Sequence, residues 1–337
     1  MEEIVSTRKG IQYLSVRLQD TSLREVINFP QYCGDVDCFD KVLINCLAVE
    51  MRLGTGGYDF VICKLEDPTT NIDSLGHIFK QRYTPLQFPV VSVESPESPH
   101  HETLQNFTTL SNMPIVCCEL HSQVPAVIAG IRSVNPTKGV ALVQTDGSSI
   151  PIAFSTLVHD MKRLNWLQFT ITCGHSFGGD YEAVTLHSAL GAAKLVCNAD
   201  VVIVSQGPGS VGTDTPFGFS GTQQADALNA AIALVGFPIG VLRMSDGDER
   251  LRHQALSHHS ITIFERLVLG AVHIGVPHLC SEIVPDWRHL ISHIDTSEGI
   301  EILLNSGLDV KTMGRSVVQD MLFFEAAVAA GVLAGRS

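Results

Sequence analysis

The chain has 337 residues, 45% of them hydrophobic and 17% charged, and a formal net charge of −13. That length suits two cores, since a domain takes roughly 100–200 residues, and a surface so acidic repels phosphate backbones, so neither nucleic acid nor an anionic membrane is an expected partner. No apolar stretch reaches the roughly 18 residues of a membrane span, Met1–Gly10 lacks the apolar core of a signal peptide, and the nine cysteines read as reduced thiols of a cytoplasmic protein.

Up to Glu66, the segments 2–8, 11–18, 23–29, 41–49 and 58–66 are β-branched and aromatic, with turn residues between them. Short strands so punctuated predict a small N-terminal all-β barrel domain over 1–66. Its turn 53–60 clusters Gly54, Gly56 and Gly57, where a tight corner demands positive φ. Residues 67–112 read as a connector: 67–74 and 94–102 carry loop punctuation, Ser98-Pro99 suits a helix start, and 85–95 can add a strand to either side.

From Met113 the rhythm changes. Apolar runs at 114–120, 139–145, 167–173, 199–205, 239–244, 272–277 and 308–313 alternate with helical patterns at 122–134, 154–165, 180–194, 221–236, 255–270 and 316–335. Runs apolar on both faces belong to a buried parallel sheet, so 113–337 is predicted as a three-layer, mostly parallel, Rossmann-like α/β domain. Ser220 with Gln223 and Ser316 with Gln319 have capping-box spacing. The segment 145–153 reads as an Asp-Gly hairpin turn into an antiparallel strand. The alanine-rich 323–335 suits either a homo-oligomer contact or burial within the monomer.

Ligands of open α/β sheets bind outside the carboxyl ends of the strands. There the chain places His121 and Gln123, then His175, then the loop of Gly207, Gly209, Gly212 and Thr213, then Arg252, His253, His258 and His259, and finally Arg315. The run 207–212 matches G-x-G-x-x-G, but Pro216 delays the helix and no acid ends the next strand, so an anion-binding loop fits it better than a dinucleotide fingerprint. Segment 243–260 joins three arginines and three histidines to three acids, suiting carboxylate or phosphate recognition and proton transfer. A metal built from His175, His258, His259 and an acid lacks any ligand spacing, and the residues name no cofactor.

Gly174-His175-Ser176-Phe177-Gly178 has the spacing of a nucleophile turn, and Ser176, Asp246 and His278 or His258 follow the chain order of a hydrolase triad. Against it stands the lack of an early oxyanion loop. Asp180 and Glu182 are candidate acid–base groups, with a plain alternative as N-cap and first-turn acids of the next helix.

Taken in order, "LGTGGYDFVI", "GHIFKQRYTPLQ", "ESPESPHH", "ELHSQVPAV", "TDGSSIPIAFS", "FGGDYEAV", "QGPGSVGTDTPFGFSG", "RHQALSHHS" and "TMGR" resemble a bacterial family catalogued as domain of unknown function 3866. The resemblance spans nearly the whole chain and brings no activity. It implies that the glycine loop, Asp180 with Glu182, and the His258–His259 segment share a site. It also implies that Ser176 stands where relatives often carry alanine, which weakens the hydrolase reading. The expected function is an enzyme acting on a small anionic metabolite at the carboxyl edge, with His175, Asp180, Glu182, His258 and His259 as acid–base candidates. A non-catalytic sensor or assembly protein and a Ser176 hydrolase are the alternatives.

Overall fold

The structure, a computed structural model, describes residues 1–53, 56–66, 76–280 and 284–337. Gly54 of the glycine turn and all of the 67–74 punctuation lie outside these residues; Gly56 and Gly57 do take positive φ, 70° and 87°. The chain divides into two compact units, Met1–Val91 and Ser92–Ser337.

In the first unit, β1 (Glu3–Arg8), β2 (Ile11–Arg17) and β3 (Leu23–Asn28) form an antiparallel meander; α1 (Pro30–Cys33), β4 (Val42–Asn45), α2 (Leu47–Glu50) and β5 (Asp59–Lys64) follow. The order is β1-β2-β3-β5-β4, with β5 parallel to β3. This is the expected small sheet, but the ladders of the described residues do not close it into a barrel. Leu14, Val16, Val26, Cys33, Val36 and Val61 make its core. The buried Gln12 carboxamide oxygen accepts from Asn28 Nδ2 at 2.7 Å and the Val36 amide at 2.9 Å, so this buried acceptor is paired twice over. A separate hairpin joins β6 (Ile78–Lys80) to β7 (Phe88–Val90).

The second unit opens with α3 (His101–Gln105) and builds its strands as β8 (Pro114–Cys117), β9 (Val140–Thr145), β10 (Phe169–Cys173), β11 (Tyr181–Ala183), β12 (Val201–Gln206) and β13 (Phe237–Gly240). Then come the short pair β14 (Met244–Ser245) and β15 (Ala255–Leu256), the strands β16 (His273–Pro277) and β17 (Leu290–Ile294), and the two-residue pair β18 (Lys311–Thr312) and β19 (Arg315–Ser316). The main sheet runs β11-β10-β9-β12-β8-β13-β16-β17 with every ladder parallel. Its covering helices are α4 (Val124–Val134), α5 (Thr156–Arg163), α6 (Leu186–Leu195), α7 (Gln223–Ala233), α8 (His258–Thr262), α9 (Ser297–Asn305) and α10 (Met321–Arg336).

Alternation inside the apolar runs sorts the two faces. Val116, Leu142, Ile203 and Ile239 point to one core with α4 and α10, while Ile115, Cys117, Val143 and Val204 point to the other with α6 and α7. The helix after β8 covers one face and the helix after β12 the other, although the two strands are neighbours. Their connections therefore diverge and open a crevice at the carboxyl ends.

Helix α10 packs against α4 so closely that only glycine fits. A Cβ on Gly331 would lie 2.0 Å from the Val127 carbonyl oxygen, and one on Gly130 would lie 2.2 Å from that of Val328. Ala326, Ala327, Ala329 and Ala330 are all 0% exposed, so the alanine run is buried within this unit. Gly331→Ala is expected to lower stability by about 2 kcal/mol, read as a shift of the urea midpoint at unchanged slope.

Three local expectations need correction. Residues 145–153 do not make an antiparallel strand: Pro151 forms a parallel bridge to Phe177 and Ile152–Phe154 is a 3-10 turn. The predicted helix 180–194 begins as strand β11, and its N-cap is Thr185, whose hydroxyl accepts from the Ser188 amide. The run 308–313 stays out of the main sheet, contributing only β18. The box of Ser316 and Gln319 does form, ahead of α10.

Candidate functional site

The loops that leave β8, β12 and β13 border a pocket of about 70 Å³. Leu120, the loop residues Ser210–Asp214, Arg243, Arg250, Arg252, His253, His258, His259 and Met313 line it. Gly212, Thr213, Arg252, His253, His258 and His259 are thus brought together from distant parts of the sequence.

Beneath the pocket lies a buried charge cluster. Glu119, 1% exposed, ends the apolar run of β8; Arg243, 6% exposed, follows β13. Arg243 Nη1 donates to Glu119 Oε1 at 3.0 Å, and the same oxygen lies 2.6 Å from His259 Nδ1. An ionised carboxylate only accepts, so His259 Nδ1 carries the proton and its Nε2 is turned away from the acid. Burial alone would raise the Glu119 carboxyl, but the Arg243 charge and the His259 hydrogen bond outweigh it and hold it below the usual range. The ring of His259 stacks on Phe219 with centroids 3.6 Å apart, which fixes its plane.

His253 and His258 complete the wall. His253 Nδ1 sits 2.8 Å from Ser257 Oγ, the hydroxyl that also caps α8 by accepting from the His259 amide. Burial, with Arg243 and Arg250 nearby, brings the His253 ring down to about 3, and burial next to His259 lowers His258. Both are neutral imidazoles near neutral pH. The three rings have centroids 4.4 to 5.1 Å apart. Each arginine has its own acid: Arg250 is held by Asp248 at 2.7 Å and Arg252 by the exposed Asp214 at 3.1 Å.

The glycine loop is built differently from an amide cradle. Gly212 bridges antiparallel to Phe219, the Thr213 amide donates to the Gly218 carbonyl at 2.7 Å, and the Val211 amide to Ser220 Oγ at 3.2 Å. The loop is therefore a small exposed flap whose amides at 211 and 213 are used internally. Gly207 lies against Ser149, whose carbonyl oxygen would be 2.2 Å from an added Cβ, and Gly209 takes φ 97°. Those two glycines turn the chain and do not line the pocket.

Other candidates stand elsewhere. His121 Nδ1 donates to the Gln206 carbonyl at 3.2 Å and its Nε2 meets Ser155 Oγ at 2.7 Å, so the ring ties β8, β12 and the start of α5 together. Gln123 is 0% exposed and donates to the Leu242 carbonyl at 3.1 Å. Asp180 accepts from the Thr170 amide and pairs with Lys162, Glu182 accepts from Thr172 Oγ1 and the Gly178 amide, and the His175 amide donates to Asp146. These three belong to the β10–β11 end of the sheet and line no part of the pocket. Arg315 forks onto Asp320 and Asp248 and reaches the site only through the acid that holds Arg250.

Ser176 is 0% exposed; its hydroxyl donates to the Ile150 carbonyl at 2.8 Å and accepts from Gln144 Nε2 at 2.9 Å. A turn and then β11 follow β10, so the strand–turn–helix that presents a nucleophile is not formed. Segment 243–260 carried Arg243 and Arg250 among its three arginines, although only Arg252 was singled out; Glu119, beneath the pocket, was missed by sequence reasoning. An acid closing an otherwise apolar run was the available signal for Glu119, since such a charge is buried only with a partner.

A family model described as Protein of unknown function (DUF3866) matches residues 25–331, and the chain belongs to that family. No curated protein and no solved structure matches the chain.

Proposed function

We propose that this member of the DUF3866 family binds a small metabolite bearing a phosphate or carboxylate group in the pocket outside β8, β12 and β13, and transforms it there. The observation that carries this reading is three guanidinium groups beside three imidazoles around one pocket, in a chain whose net charge is −13. Each guanidinium is already paired with an acid, so what the arginines offer an anion is planar donor forks rather than excess charge. The Arg252–Asp214 pair is exposed and contributes no more than about 1 kcal/mol, so an incoming anion can take Asp214's place on the fork.

Size narrows the ligand. The pocket is about half the roughly 150 Å³ of a cavity that admits benzene, so it seats an anionic head group, with any remaining part of the molecule lying under the flap of Val211–Ser220. The neutral imidazoles would then accept or pass on protons at the bound group.

Calorimetric titration with inorganic phosphate and with acetate tests the reading. One of the two should bind at one site per chain, and Arg252→Ala, a surface change that spares the fold, should weaken it by about 10-fold, as expected for the loss of one charge-assisted contact. Binding by neither anion, or binding indifferent to Arg252, would refute it.

A further inference from the structure

Beyond anion recognition, the geometry points to a divalent transition-metal site: His253, His258 and His259 together hold an ion of the zinc class and leave a coordination position open toward the pocket. One ring nitrogen from each residue lies within 4.8 Å of the others. A tetrahedral ion with bonds of about 2.1 Å spaces its ligand nitrogens by about 3.4 Å, so small ring rotations close the trio on a metal.

Which nitrogens face the site follows from the partners already taken. His253 Nδ1 is engaged by Ser257 and His259 Nδ1 by Glu119, leaving the Nε2 atom of each. His259 Nε2 looks toward the flap, since a Cβ on Gly212 would lie 3.8 Å from it. His258 Nε2 is the independent sign: it is buried and has no hydrogen-bond partner among the described residues. A buried ring nitrogen without a partner is costly unless something else satisfies it, and a cation shared with two neighbouring imidazoles would do so.

The surroundings match those of a histidine-ligated ion. Ligating imidazoles donate their other N–H to a carboxylate or similar acceptor that sets the tautomer, the arrangement that Glu119 makes with His259 and that Ser257 supports at His253. The nearby arginines do not oppose the cation unscreened, because Glu119, Asp248 and Asp214 each neutralise one. Three protein ligands leave a position for water, whose proton such an ion makes easy to lose near neutral pH. The site stands whether or not the arginines bind an anion.

Full-length protein stripped with a chelator and titrated with Co²⁺ should take up one equivalent with a nitrogen-and-oxygen ligand-field spectrum and no thiolate charge-transfer band. His258→Ala and His253→Ala should each lower the affinity on the order of 100-fold or more, and Glu119→Gln about 10-fold. In the unaltered chain, one equivalent of Zn²⁺ should shift three imidazole Nε2 resonances together, a readout that depends on no variant folding. Absence of stoichiometric Co²⁺ uptake, a thiolate band from one of the cysteines, uptake that survives His258→Ala, or fewer than three shifted resonances would each overturn the proposal. Phosphate binding that persists in the stripped protein would leave the anion reading intact while the metal site failed.

Discussion

Replacing Arg243 by methionine is expected to destabilise the α/β unit by about 3–5 kcal/mol, the usual consequence of removing one partner from a buried ion pair. Glu119 is 1% exposed, and its Oε1 receives both Arg243 Nη1 and His259 Nδ1–H. Without the guanidinium the carboxylate keeps a single strong donor in a site closed to water, and its second oxygen already has no hydrogen-bond partner among the described residues. Arg243→Met combined with Glu119→Leu should recover part of the loss, because apolar side chains of similar volume need no compensating charge, the remainder being the His259 Nδ1–H left without its acceptor. Urea unfolding of the two single variants and the double variant measures this. A single variant within about 1 kcal/mol of the parent would mean that the pair is solvated and the buried cluster misjudged.

Acidification should weaken the same unit through His121. Burial brings this ring down to about 4, against a small opposing effect from its bond to the Gln206 carbonyl. The unfolded chain takes up the proton near pH 6.5, the folded chain only near pH 4. Between those values the unfolded state binds more protons, so the His121 contribution is full above about pH 6.5, falls as the pH drops toward about 4, and levels off below. The loss amounts to about 3 kcal/mol. Protonation is resisted because Nδ1 already donates to Gln206 and Nε2 needs its lone pair for the Ser155 hydroxyl. Thermal unfolding across this range should show the decline in the parent and a flatter profile in His121→Gln. Equal slopes in the two proteins would remove His121 as the cause.

Residues differ in how far the sequence foretold their place. The strands β8, β9, β10, β12, β13 and β16 announced themselves because both faces are covered, so nearly every position had to be apolar. The edge strands β11 and β17 did not: Tyr181-Glu182-Ala183 and Leu290–Ile294 are half exposed, and a strand paired on one side keeps polar residues that read as helix or loop. Within the pocket, His253, His258, His259 and Arg252 were legible because loops after strands carry chemistry in this architecture. Glu119 was not: an acid at the end of an apolar run hints at a buried partner, but that partner, Arg243, is 124 residues away and no spacing identifies it.

By itself the sequence determined the layer order, the parallel character of the main sheet and the edge where polar side chains collect, because hydrophobic periodicity and strand punctuation are local properties that survive without coordinates. Tertiary structure alone decided which of those side chains meet. The connections of β8 and β12 leave on opposite faces of the sheet, and this divergence brings the flap, the arginines and the three imidazoles to one crevice while leaving His175, Asp180 and Glu182 at the β10–β11 end. Convergence of that kind is set by the long-range order of strands, which no spacing along the chain encodes.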